Sequence, residues 1–164
     1  MPVQTAYSTV HNAAYAGMLS SMQTYNIISK VNKGAANLPF GYGIVTDGDD
    51  GGKLPVAGSV LKNFIGIAQR ELDRPYLGTD VFGAVPAKSF AVITQGEVWV
   101  TAFVDVAKDD PVYLIVGDGT GTNQGKLTNV IGTGATTAIL ISNAKWTSSI
   151  AAGGLAKIQL NIGG

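Results

Sequence analysis

The chain has 164 residues, enough for one domain with a single sizeable core, and eleven acidic side chains balance its eleven basic ones. A charged fraction of 13%, against the ~25% usual for soluble domains, beside 46% apolar residues favours a surface hidden in contacts, and the missing basic excess argues against a nucleic-acid partner. Cysteine is absent, which removes disulfides, thiolate zinc sites and cysteine nucleophiles, and no apolar window approaches the ~20 residues of a membrane span.

The N-terminus, MPVQTAYSTVHNAAYAGML, lacks the basic start and long apolar run of a secretory signal, so a soluble protein made in the cytoplasm is expected. The first ~25 residues are rich in Ala, Ser, Thr, Tyr and Asn, and only His11 among their side chains titrates near neutrality. Ala14, Met18 and Met22 fit one face of a short helix, but Gly17 and the surrounding Ser and Thr weaken it. An extended arm over residues 1–24 is the favoured reading, followed by a single β domain over 25–164. Beyond the arm, 22 glycines fall between short β-branched and aromatic runs, the pattern of many short strands joined by turns. Strands are predicted at 42–46, 64–69, 90–94, 97–104, 111–116, 138–142 and 157–162. Gln95-Gly96, a two-residue link between apolar runs, predicts a hairpin. Pro111 opens its strand, where a missing N–H is tolerated. In the last strand Ile158, Leu160 and Ile162 alternate with Lys157, Gln159 and Asn161, which places it at an edge or on a solvent-facing sheet.

The stretch Glu97–Asp105 is apolar on both faces: Val98, Val100, Ala102 and Val104 share one, Trp99 and Phe103 the other. Val112, Leu114 and Val116 likewise oppose Tyr113 and Ile115. One face fills the core; the second needs a further cover, and with few helices predicted another protein becomes a serious candidate. A homo-oligomer is expected on this ground, with Trp99, Phe103 and Tyr113 as contact residues.

Sites of chemistry are harder to find. The run from Asp47 to Gly52 suggests a calcium loop, but Gly51 and Gly58 stand where an EF-hand needs a ligand and its closing Glu, so it reads as a solvated turn. In the glycine-rich stretch 117–126, Thr120 replaces the first Gly of a phosphate loop and Leu127 the Ser or Thr after its Lys. Gly117–Gly125 is therefore expected to be a mobile loop without a ligand. His11 lies in the least rigid segment, unsuited to a triad. Asp109-Asp110 before Pro111 reads as turn chemistry. Trp99, Trp146 or Tyr76 would serve a carbohydrate-binding β-sandwich, though burial of the tryptophans is favoured. No catalytic residue, cofactor, metal or small-molecule substrate is expected, and nothing asks for an enzyme.

An ordered set of short signatures spans nearly the whole chain: Asn26-Ile27-Ile28-Ser29, Pro39-Phe40-Gly41, Phe64-Ile65-Gly66-Ile67-Ala68, Gly96-Glu97-Val98-Trp99-Val100, Pro111-Val112 and Leu155-Ala156-Lys157-Ile158. In order and spacing they resemble the capsid cement, or decoration, proteins of tailed bacteriophages. The resemblance implies a mainly β fold, a small β-barrel or jelly-roll-like sandwich with an extended N-terminal arm. It also implies a homotrimer on the outer capsid surface of the virion, where it bridges neighbouring major-capsid subunits and stabilises the expanded shell. Two places depart from the family pattern: the long excursion Arg70–Lys88, with Pro75 and Pro86, and Asp109, where glycine is expected before the Asp-Pro turn. Within the arm, Tyr7, His11, Tyr15, Met18 and Met22 suit contact burial without charge desolvation, and ~24 extended residues at ~3.3 Å each reach at most ~80 Å. A tail-tube or fibre-associated virion protein is the alternative structural reading.

Overall fold

A computed structural model of the chain describes residues 14–72 and 82–162. Tyr7, His11, Pro75 and Tyr76 lie outside the described residues, so the expectations placed on them stay open.

Apart from one short 3-10 turn, the regular structure of the described chain is all strand, as the short glycine-bounded apolar runs require. β1 (Asn26–Asn32), β2 (Leu38–Pro39), β3 (Gly43–Asp47) and β4 (Gly51–Lys53) precede a single 3-10 turn at Leu61–Asn63. β5 (Phe64–Ala68), β6 (Gly83–Ala84), β7 (Ser89–Thr101), β8 (Pro111–Gly117), β9 (Leu127–Thr128), β10 (Thr137–Trp146) and β11 (Leu155–Asn161) follow. One sheet takes the order β1-β4-β3-β5-β7-β11-β10-β8-β9, and β1 pairs back onto β7 to close its first five strands into a barrel. β2 and β6 form a small separate ladder.

β7 is the organising element. Its first half pairs with β1 on one edge and β5 on the other; its second half pairs with β11 from Gln95↔Asn161 to Thr101↔Leu155. The sheet then curls through β10, β8 and β9 until Leu127 bridges Ala102, just past the end of β7, and its carbonyl accepts the Phe103 N–H at 2.9 Å. Two closed curls thus share one long strand, and the barrel-like sandwich expected for the chain is what forms.

Several expectations change against this frame. Gln95-Gly96 is not a hairpin, since β7 runs straight through it. A two-residue hairpin turn of the Asn-Gly kind needs φ > 0 at both positions. Only Gly96 has it, at +121°, and it marks where β7 passes from one curl to the other. β7 also ends at Thr101, short of the predicted Val104, because the Ala102 and Phe103 amides turn to the carbonyls of Gly154 and Leu127. The last strand is no edge: β11 lies between β7 and β10, with Ile158 and Leu160 buried.

Part of the double apolarity is satisfied within the chain. Val92 and Ile93 are adjacent, point to opposite sides and are both buried, as are Ile67 and Ala68 on β5. Ile67 and Ile93 join the larger core with Val98, Val100, Leu114 and Trp146; Ala68 and Val92 join a smaller one with Ile44 and Phe90. β5 and the first half of β7 are a wall between two cores of the same chain. On β8, Ile115 is fully buried too, its N–H bonded to the Lys126 carbonyl and its carbonyl to the Gly125 N–H. On the faces from which an oligomer is expected, Trp99, Phe103 and Tyr113 are only half-buried.

Candidate functional site

Residues 14–24 contain no helix. Ala14 is buried, and from Gly17 the chain runs antiparallel along the edge of β7 that β1 occupies further down. The Gly17 N–H donates to the Trp99 carbonyl (2.7 Å), the Trp99 N–H to Met18 (2.8 Å) and the Ser20 N–H to Glu97 (2.8 Å), with Leu19 opposite Val98. Gly17 makes this docking possible. It has φ +86°, and a Cβ there would lie 2.8 Å from both the Ala68 carbonyl oxygen and the Arg70 nitrogen. Residues 21–25 then loop outward, and pairing resumes at Asn26↔Gln95.

Glu97 fastens this segment. Its carboxylate accepts the Ser20 hydroxyl from the segment and the Thr147 hydroxyl (2.6 Å) from the turn after β10, and lies 3.5 Å from the Lys157 ammonium on β11. The Glu97 side chain is 13% exposed. Partial burial pushes its pKa up, but the two hydroxyl donors and the lysine charge outweigh that and leave it below the usual carboxylate value.

Beside the segment lies a groove of about 300 Å³ lined by Tyr15, Met18, Leu19, Gln69, Arg70 and Leu72. Its rim is apolar and open: Leu72 is 82% exposed, with Tyr15 and Met18 also exposed, and Met22 (96%) and Tyr25 stand out from the adjoining outward loop. The Arg70 guanidinium lies between two rings, 4.3 Å from the centre of Tyr15 and 4.8 Å from that of Phe82, and Phe82 meets Phe40 edge-on at 5.2 Å.

The structure gathers Tyr15, Met18 and Met22 from the expected contact residues on this one segment, with Trp99 bonded to its backbone. It does not bring Phe103 and Tyr113 there. Phe103 lies at a separate cavity of about 240 Å³ with Tyr42, Thr101 and Lys126, while half-buried Tyr113 is opposite Thr128 and Leu140 on β8. Trp99 and Phe103 are half-buried under lysines, Lys157 at 5.7 Å and Lys126 at 5.5 Å from the ring centres. Trp146 is fully buried and presents no face for a sugar. Arg70, Leu72, Phe82 and Glu97 escaped the sequence reading. Tyr15, Arg70 and Phe82 sit far apart in sequence, and no periodicity links them.

The other described loops hold no convergent site. Asp47 pairs with Lys53 (2.8 Å) across the β3–β4 hairpin, its tip is exposed, and among the described residues no three acidic or histidine side chains converge to hold a metal. The 117–125 loop is built around Asp118, which accepts the N–H groups of Thr120 (3.0 Å), Gly121 (2.5 Å) and Asn123 (2.9 Å). Desolvation raises its pKa, but these donors and the Thr120 hydroxyl outweigh that and draw it down to about 2. Asp109 has φ +72°, the left-handed backbone that explains an expected glycine there, and Asp110 accepts the Ala107 N–H at 2.9 Å as turn chemistry requires.

A site made of an apolar groove and exposed side chains, rather than a polar cleft, suits contact with a protein. A family model described as structural cement protein (E217 gp24/Pam3 gp6) matches residues 3–161. The chain belongs to this family of phage structural cement proteins. Among solved structures, a chain from the capsid of Myoviridae Phage XM1 is similar at 22% identity, covering 98% of each chain with a TM-score of 0.73. The head fiber gp8.5 N base of bacteriophage phi29 matches at 12% identity and a TM-score of 0.42, over 84% of this chain and 94% of that one. No curated protein sequence matches the cement protein. Its role is thus that of a structural virion protein associated with the capsid.

Proposed function

We propose that this cement protein binds the outer surface of the phage capsid, bridges neighbouring major-capsid subunits and so stabilises the expanded shell, without catalysis. The observation that carries the reading is the exposed apolar groove beside the N-terminal segment, flanked by Met22, Tyr25 and Leu72. Residues 1–24 act as the attaching arm: 14–20 are its root, fixed on β7, and the residues before them reach the neighbour. Stabilisation follows from mass action. A ligand that binds only the expanded shell adds RT ln(1 + [L]/Kd), about 2.7 kcal/mol at a hundredfold excess over Kd. The protein acts as a homotrimer, whose three arms attach with avidity; the family resemblance and the half-buried outer faces of Trp99, Phe103 and Tyr113 support the trimer.

Co-sedimentation with expanded capsids tests the reading. Deleting residues 2–13 is expected to weaken attachment and leave the thermal melt unchanged. Deleting 2–24 is expected to lower the melt as well, since it removes Ala14, Leu19 and the bonds to β7. Full binding by the 2–13 deletion refutes the arm, and a monomer by mass photometry, both free and on the capsid, refutes the trimer.

A further inference from the structure

Arg70 lies in the wall of the apolar groove and has no acid paired with it among the described residues. Its guanidinium is stacked between Tyr15 and Phe82, its Nε is shut away from solvent without a hydrogen-bond partner, and among the described residues no carboxylate comes within ion-pair distance. The neighbouring acid is engaged elsewhere, with Glu71 accepting the Ala91 N–H at 2.9 Å. The Arg70 backbone is pinned as well, its N–H donating to the Gly17 carbonyl at 2.9 Å. Two rings thus hold a planar five-donor fork in place, and its buried N–H is left unpaired.

An orphaned buried donor costs stability, and an oriented guanidinium matches a carboxylate with two parallel bonds. Apart from Gln69, the rest of the groove, formed by Tyr15, Met18, Leu19 and Leu72, is largely apolar and open. We infer that Arg70 is the anchor of a docking site for an extended segment of a partner protein that carries an Asp or Glu beside an apolar side chain. The acid bonds the guanidinium, and the apolar neighbour lies against Met18 and Leu72. The inference rests on the reading above, in which that partner is the major capsid protein. A preorganised arginine in an apolar groove, with no carboxylate paired to it among the described residues, gives selectivity: a segment without the acid leaves the fork unpaired.

The test compares wild type, Arg70→Met and Arg70→Lys by co-sedimentation with expanded capsids at low and high salt, with a thermal melt of each. Arg70→Met is expected to bind at least tenfold more weakly at low salt and to lose much of the salt dependence of wild type, with its melt retained. Arg70→Lys is expected to bind several-fold more weakly, because an ammonium keeps the charge but not the fork. If wild type does not bind capsids at all, the capsid reading fails and takes this inference with it. If wild type binds, wild-type affinity in Arg70→Met, or a weakened affinity with unaltered salt dependence, overturns the anchor alone. Should Arg70→Met fail to fold, Arg70→Lys decides, and wild-type affinity there overturns the anchor.

Discussion

Replacing Glu97 tests how the N-terminal segment is held. Glu97→Ala removes the acceptor of the Ser20 and Thr147 hydroxyls and the partner of Lys157. Each hydroxyl bond to the carboxylate contributes about 1 kcal/mol, and the half-exposed lysine pair less than about 1, so the loss is about 2–3 kcal/mol. Glu97→Gln keeps one carbonyl acceptor and is expected to lose about 1 kcal/mol. The segment opens more readily than the core, so amide exchange at Ser20 and Trp99 reports the change most directly. A loss of about 2 kcal/mol speeds it roughly 30-fold while the core strands hold their protection. The pH dependence has a fixed sign. The carboxyl has a lowered pKa in the folded protein, so its contribution is complete above the unfolded value of about 4.3 and disappears as pH falls through the folded one. Hydrogen exchange of wild type and Glu97→Gln should therefore differ at neutral pH and converge in acid. Equal exchange at pH 7, or a difference that persists undiminished below both pKa values, refutes the fastening role.

Trp146→Ala should cost about 3–5 kcal/mol in denaturant melts, because a fully buried indole is lost from the larger core, whereas Trp146→Phe should cost less, since it also removes the unpartnered indole N–H. Asp109→Gly should be tolerated and Asp109→Val destabilise by about 1–2 kcal/mol, since φ +72° suits glycine and strains a β-branched residue; equal melts for the two variants contradict this. The Asp118 cap has a carboxyl held at about 2, so order in the 117–125 loop should be full above pH ~4 and be lost only as pH falls towards 2, while Asp118→Ala should speed amide exchange at Gly121 and Asn123 above pH ~4, by a margin that shrinks as pH falls towards 2.

What the sequence makes legible is set by how locally each feature is encoded. The β-branched runs 43–47, 64–68, 111–117 and 155–161 declare themselves within a residue or two, because half-buried pleated strands need such side chains. β1 does not, since Ser29, Lys30 and Asn32 interrupt its apolar residues, and the two-residue strands are too short to carry a period. Gln95-Gly96 misled because a turn-forming dipeptide and a kink within a long strand draw on the same glycine. Closure of the two curls is a matter of register between distant strands, so the sequence could not show that both faces of β5 and of the first half of β7 are covered from within. At the candidate site, Tyr15, Met18 and Met22 were visible as uncharged contact side chains. The Arg70 stack and the Glu97 fastening were not, because each joins segments tens of residues apart.

The run of the N-terminal segment along β7 gives any load on the N-terminus a mechanical direction. From Gly17 to Ser20 and again from Asn26 to Val31, the chain lies antiparallel against one continuous strand. A pull on the N-terminus along the axis of β7 loads these backbone bonds side by side, so many must yield together. The same pull at right angles would peel them singly, beginning at Gly17. A load drawn along β7 is therefore resisted far better than one drawn straight outward.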